Sequence, residues 1–275
     1  MTAGVQRLAP ADEPDALAFL DRAPFENAFL SWVILTDRSQ ATRATLYTYR
    51  GRNEAISGVA FFGRQIVLAA EDDATIDAFA RAAQAHRLER MIVGDRTTVR
   101  RFWERIRSWH PAPRVIRRHQ PLMAVERGML KESPNGVRVR PARADEWRTV
   151  ADSSAEMIRT ELQYDPRSGG NEFDANVRMM IERRLWWVGE RDGELCFFCS
   201  EGPRSARTLQ LQGIWTPPRL RGRGLATAAL CGICDRALER VPSISLYVNG
   251  FNTAALALYE RVGFRTVGEF MSLLF

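Results

Sequence analysis

Residues 217–230 read "PPRLRGRGLATAAL": two prolines, three arginines and two glycines ahead of a run of small helix formers. A helix N-terminus presents unpaired N–H groups and the positive end of the macrodipole. Glycines before it let a ligand approach the backbone and permit φ values closed to other residues. Together these features make a cradle for a phosphate or another anion. Two familiar phosphate motifs do not fit. The dinucleotide fingerprint would need a glycine where Thr227 stands, and the P-loop needs a lysine, whereas the chain has one lysine, Lys131, far from this stretch.

Two other groupings carry possible chemistry. Cys196-x-x-Cys199 and Cys231-x-x-Cys234 have the pair-plus-pair spacing of a zinc site. "ELCFFCSE" reads as a strand, on which residues three apart face opposite sides. "LCGICDRAL" lies in a helical pattern without the tight turn of a zinc knuckle. Buried free thiols are therefore expected, and no metal. The stretch 100–119 holds seven arginines interleaved with Phe102, Trp103 and Trp109. Such a patch can bind nucleic acid through phosphates and stacking. The amphipathic alternative, aromatic side inward and basic side outward, is favoured.

The chain of 275 residues has room for two domains of ordinary size. Its formal net charge is +6, nearly all from arginine, which GC-rich coding explains as well as an anionic partner does. No stretch is apolar for long enough to span a bilayer. Asp12, Glu13 and Asp15 stand where a signal peptide needs an apolar run, so a cytosolic protein is expected.

The elements that must position the glycine turn follow from periodicity and breakers. "KESPNG", Lys131 to Gly136, has turn and linker composition, which divides the chain into domains at 1–130 and 137–275. After it come a short strand ("GVRVRPA") and an amphipathic helix with Trp147, Val150, Ala151 and Met157 among its apolar positions. A polar loop (163–173) and a second helix follow. Next is a hairpin turning at Asp192-Gly193, then the strand "TLQLQGIWT", stopped by Pro217-Pro218. A helix from about Gly224, a strand ("SISLYVN"), a helix ("NTAALALYERV") and a final extended segment complete an α/β (α+β) layer. The N-terminal half alternates similarly: a hairpin over 55–70, a helix over 74–86, a strand, a helix over 97–109 and a closing strand at "RRHQPLMAVER". It lacks the glycine turn. Arg50-Gly51-Arg52 resembles a fragment of it, but Asn53 replaces the second glycine.

Arg221-Gly222-Arg223-Gly224-Leu225-Ala226 resembles the Arg/Gln-x-x-Gly-x-Gly/Ala loop of the GNAT acyltransferases. "NGFNTAALALYERVGF" resembles their later signature, Asn-x-x-Ala-x-x-Leu-Tyr-x-x-x-Gly-Phe, at Asn252, Ala255, Leu258, Tyr259, Gly263 and Phe264. The resemblance covers residues 137–275. It implies an acyl-CoA N-acyltransferase fold for that half. The N-terminal half resembles the uncharacterised domain preceding some bacterial GNAT domains and is expected to be a second packed mixed-sheet domain, a degenerate copy of the fold.

The resemblance further implies acetyl-CoA as cosubstrate, no metal, and direct transfer to a primary amine. Amides across Arg221, Gly222, Arg223, Gly224, Leu225 and Ala226 would hold the pyrophosphate, with the Thr227 hydroxyl beside them. The backbone of Ile214, Trp215 and Thr216 would pair with pantetheine, and Asn252 would lie near that arm besides capping its helix. Tyr259 would protonate the leaving thiolate. The family's usual glutamate is missing from "TLQLQGIWT", which leaves Glu201 and Glu161 as candidate bases. The acceptor stays open between a small amine, an amino acid, an aminoglycoside-like compound and a protein amine, with the polar loop 163–173 expected beside it. Oligomeric state is not specified. The competing readings are a catalytically silent acyl-CoA sensor and a nucleic-acid binder working through residues 100–119.

Overall fold

The computed structural model describes residues 4–36, 39–51, 54–86, 89–131 and 136–275. The proposed linker at 132–135, and Arg52 and Asn53, lie outside the described residues. The first half runs β1 (Val5–Arg7), α1 (Glu13–Leu20), α2 (Ala28–Thr36), α3 (Gln40–Arg43), β2 (Leu46–Arg50), β3 (Ile56–Phe62), β4 (Gln65–Ala70), α4 (Asp73–Ala83), β5 (Met91–Asp95), α5 (Arg96–Ile106) and β6 (Val115–Glu126). The second runs β7 (Arg138–Pro141), α6 (Trp147–Leu162), α7 (Glu172–Glu182), β8 (Trp186–Arg191), β9 (Glu194–Arg204), β10 (Thr208–Trp215), α8 (Leu225–Ala237), β11 (Ser243–Tyr247), α9 (Thr253–Val262) and β12 (Arg265–Leu274). The α/β alternation read from the sequence is present, with helices on both faces. No helix among the described residues is long and apolar enough to cross a membrane.

The halves repeat one topology. β1 to β4 pair antiparallel in order and β4 pairs parallel with β5; β7 to β10 and then β11 do the same. In each half two helices separate the first two strands, apart from the one-turn α3, and one helix each precedes and follows the fifth strand.

The halves do not form separate sheets. All the described strands join in one order, β1-β2-β3-β4-β5-β12-β6-β11-β10-β9-β8-β7. The last strand of each half is inserted beside the fifth strand of the other: β12 pairs with β5, and β6 with β11. The break in composition near 131–136 therefore does not divide the sheet. The packing follows the exchange. Met271 and Leu273 of β12 are buried in the core beneath α4 and α5, whereas Met123 and Val125 of β6 are buried in the core beneath α8 and α9. Full burial of such a side chain contributes roughly 1.5–3 kcal/mol, so each half relies on the other for part of its core. Pro121 stands inside β6 although both neighbours of that strand are occupied. β12 has a register shift at Thr266/Gly268, close to Glu269, which pairs with Pro121. A bulge nearby is the setting in which a sheet tolerates proline.

The cysteines do not follow the simple strand alternation expected of them. β9 has an irregularity between Phe197 and Leu195 in its pairing with β8, which breaks the alternation at Cys196. Cys196 and Cys199 consequently border the same core, together with Cys231 and Cys234 of α8. All four are free and buried. Burial pushes the Cys199 and Cys234 thiols well above the usual range. Among the described residues no cluster of His, Cys, Asp or Glu is placed to hold a metal ion.

Candidate active site

The glycine turn forms where the sequence places it. Pro217-Pro218 end β10 in a short 3-10 turn at Pro218–Leu220, and α8 begins at Leu225. Gly222 and Gly224 both have φ +74°, a conformation that penalises any side chain, and a Cβ at either would project into open space. Gly224 is the N-cap and offers no capping side chain. The first amide of the helix region to find a backbone carbonyl is that of Ala228, on Gly224 O at 3.1 Å. The preceding amides have no backbone acceptor among the described residues and stand at the positive end of the helix dipole, an arrangement that favours an anion. Leu220 and Leu225, both buried, pin the turn at its two ends. Arg223 is exposed. Arg221 folds back: its Nε donates to Thr216 O at 2.9 Å, and its guanidinium lies 4.3 Å from the Trp215 ring centroid. It braces the turn, and it occupies the Thr216 carbonyl that pantetheine was expected to use.

A cleft lies between β10 and β11. β10 and β11 pair in parallel only over Thr208–Gln210 against Ser243–Ser245. Beyond that point β10 bulges: its pairing with β9 shifts register between Gln212 and Trp215, and Gly213 takes φ +60°. β11 meanwhile continues along β6 through Leu246 and Tyr247. The strands separate around a cleft of about 400 Å³ whose walls include Leu211 to Ile214, Leu246 to Asn249, Asn252 and Tyr259. Ile214 lines it, whereas Trp215 is buried in the core beneath α6 and α7.

Tyr259 comes from α9. Asn252 caps this helix by accepting from Ala255 N at 3.2 Å, and Gly263, at φ +116°, stops it. The Tyr259 ring packs near Phe264, 5.9 Å between centroids, and 6 % of the residue is exposed. Its hydroxyl makes no hydrogen bond among the described residues and is not sealed from the cleft. Burial, reinforced by the negative field of Glu161, pushes the phenol well above its ordinary range, so it holds its proton at neutral pH.

Of the two candidate bases, the structure brings one to the cleft. Glu161, in the last turn of α6, keeps solvent contact, yet the surrounding walls crowd its carboxyl and raise its pKa above the usual carboxylate range; Arg117 and Arg221 oppose that shift. Glu201 is elsewhere. It is buried, its Oε1 accepts from Trp187 Nε1 at 2.9 Å, and it pairs with Arg240. A carboxylate spent on two donors and remote from the cleft is an anchor and not the base expected from the sequence.

Several lining residues were not legible in the sequence because they come from the exchanged strands. Arg117 and Gln120 of β6 reach the cleft, as does Ser272 of β12. Ser272 Oγ donates to Gln120 Oε1 at 2.6 Å, and Gln120 Nε2 donates to Asn249 Oδ1 at 3.1 Å. This buried chain ties both exchanged strands to the loop after β11. Ser272 is a polar residue inside an apolar strand run, the one signal that could have flagged it; Gln120 follows the polar Arg117-Arg118-His119 and carries no such signal. Of the loop 163–173, Gln163 reaches a cavity.

Among the described residues the first half has no second cradle. There β4 leads into Glu71-Asp72-Asp73, and Asp72 caps α4 itself, accepting from Thr75 N at 2.8 Å and Thr75 Oγ1 at 2.7 Å. A carboxylate already stands where an anion would bind. The 100–119 arginines are partly engaged as well. Arg100 pairs with Glu104, Arg101 with Asp73, and Arg105 with Asp73 and Asp77, while Val99, Phe102 and Ile106 face inward.

Comparison with known proteins agrees with this geometry. Residues 147–264 match the Acetyltransferase (GNAT) family, and residues 44–150 match a domain of unknown function, DUF4081. The C-terminal half is a GNAT domain. The chain is 32 % identical over 124 residues to a mycothiol acetyltransferase of Acidimicrobium ferrooxidans, covering 41 % of this chain and 39 % of that protein. It is 30 % identical over 143 residues to one of Streptomyces griseus, covering 48 % and 44 %. The chain thus spans less than half the length of these curated relatives. A GCN5-related N-acetyltransferase from Sphaerobacter thermophilus superposes with a TM-score of 0.61 at 14 % identity, covering 98 % of this chain and 93 % of that one. A tandem GNAT protein from the clavulanic acid biosynthesis pathway superposes at 0.58 and 11 % identity, covering 99 % and 98 %. At these identities the likeness is one of fold, and it extends beyond the GNAT domain to nearly the whole chain.

Proposed function

We propose that the chain is an N-acetyltransferase that takes acetyl-CoA as donor and a primary amine as acceptor, by direct transfer. The observation that carries this reading is the separation of β10 from β11 at the Gly213 bulge, with Tyr259 on the wall of the cleft and the glycine turn following at the end of the same strand. Amides 222–227 would hold the pyrophosphate, and the free edge of β10 at Leu211–Ile214 would pair with the pantetheine amides.

The amine must be neutral to attack. Glu161, made more basic by its crowded setting, would take the ammonium proton directly or through water. Tyr259 would deliver its proton to the departing sulfur. The matched relatives are named mycothiol acetyltransferases, which supports acetyl transfer and leaves the acceptor of this chain to be determined. The first half reads as a copy of the fold that lost its cradle and supplies β6 to the site, so one acetyl-CoA per chain is expected.

Calorimetric titration of acetyl-CoA, followed by thiol-release assays across a library of amines, tests the proposal. Absence of binding by folded protein would remove it.

A further inference from the structure

A second cavity of about 550 Å³ adjoins the cleft at Arg117, Glu161 and Asn249, which line both. Its size suits a small molecule. One wall is the start of β6, from the other half of the chain, with Arg117 and Arg118; Glu161 stands at the junction with the cleft. Arg117 is held there by donating to the Glu161 carbonyl oxygen at 2.9 Å. Arg118 is exposed and makes no ion pair among the described residues. His119 is engaged with Glu269. Two guanidiniums against one carboxylate leave this cavity cationic, which disfavours an acceptor carrying further positive charge. The remaining surface is apolar: Val115, Ile116 and Phe251 are exposed large hydrophobic residues gathered on its rim. Asn249 presents an amide nitrogen with no partner among the described residues, and its oxygen is fixed by Gln120.

We infer that the acceptor is a zwitterion, a primary amine with a carboxylate a few atoms away and an apolar side group. The amine would sit at Glu161 and the carboxylate on Arg117 and Arg118, with the apolar part against the rim. This rests on the acetyltransferase reading for the chemistry, but not for the binding. Arg–carboxylate pairing is the geometry in which guanidiniums bind most strongly and selectively. A peptide or protein N-terminus, whose carboxyl is an amide, would lack that contact.

The test compares L-leucine and L-phenylalanine with their carboxamides and with the decarboxylated amines, using the full chain. Thiol release from acetyl-CoA is read first. The amides carry the less basic amine, so a preference for the acids cannot come from amine ionisation. The acids are expected to exceed the amides at least about tenfold in kcat/KM. Arg118→Gln and Arg117→Gln should each narrow that ratio; the first alters an exposed side chain and so guards against misfolding. Equal or better use of the amides overturns the inference and leaves acetyl transfer standing. If acetyl-CoA does not bind and no amine releases thiol, acetyl transfer falls instead. Calorimetry of acids against amides without acetyl-CoA then decides the cavity: selective binding of the acids supports it, and no selectivity overturns it.

Discussion

Replacing Tyr259 by phenylalanine separates chemistry from structure unusually cleanly in this protein. The ring is buried and packs near Phe264, so removing it would cost about 3–5 kcal/mol, as for other buried aromatics cut to alanine. The hydroxyl alone has no hydrogen-bond partner among the described residues, so its loss leaves no group unpaired. Tyr259→Phe should then change stability by no more than about 0.5 kcal/mol, the scale of substitutions that break no specific interaction. For a chain of this size that is roughly 1–2 °C in Tm. Loss of a positioned general acid lowers turnover by about 10²–10⁴-fold. Acetyl-CoA affinity should move little, because the cradle is on α8 and untouched. Thermal melting, calorimetry and thiol release with the best acceptor make the three readings on one preparation. A variant that melts normally, binds acetyl-CoA normally and turns over within threefold of the parent would refute the acid role. A variant that loses stability and activity together would show that the hydroxyl has a structural partner.

Glu161 has a pKa raised by crowding, so its base form is lost as pH falls through that raised value. The acid limb of kcat/KM should therefore lie above the ordinary carboxylate range, and Glu161→Gln should abolish that limb as well as lowering the rate. Gly224→Glu puts a side chain where φ is +74° and a negative charge in the cradle; calorimetry should show acetyl-CoA binding lost in protein that still folds. Glu201→Ala leaves the buried Trp187 indole N–H unpaired, an expected loss of about 1–3 kcal/mol in chemical denaturation, with turnover of the folded fraction retained. Expression of residues 137–275 alone removes β6 from the core beneath α8 and α9, and should yield protein without a cooperative thermal transition.

Much of this was legible along the chain because it is local. "RGRGLA" dictates an open helix N-terminus, since glycine at positive φ and the absence of a capping side chain are properties of a few consecutive residues. Asn252 and Gly263 delimit α9, and Asp192-Gly193 turns the β8–β9 hairpin, for the same reason. The spacing that places Tyr259 on α9 is also local. In the first 54 residues β1, α1, α2, α3 and β2 carry weak periodic signals, and none of them is marked by the patterns that place the later elements.

What the tertiary structure alone decided is which strands stand next to each other. Periodicity marks a segment as a strand without saying which neighbour satisfies its hydrogen bonds. "RRHQPLMAVER", with a proline inside, looks like a strand for an edge, yet it lies at the centre of the sheet and lines the site. The exchange of β6 and β12 brings Arg117 and Gln120 to the cleft from more than a hundred residues before Tyr259 and Ser272, and it cannot be read from any single stretch. The choice between Glu161 and Glu201 has the same origin. Both are acids near the end of an element, and only the packing of Trp187 and Arg240 around one, and of the open cleft around the other, tells a buried anchor from a carboxylate that faces the cleft.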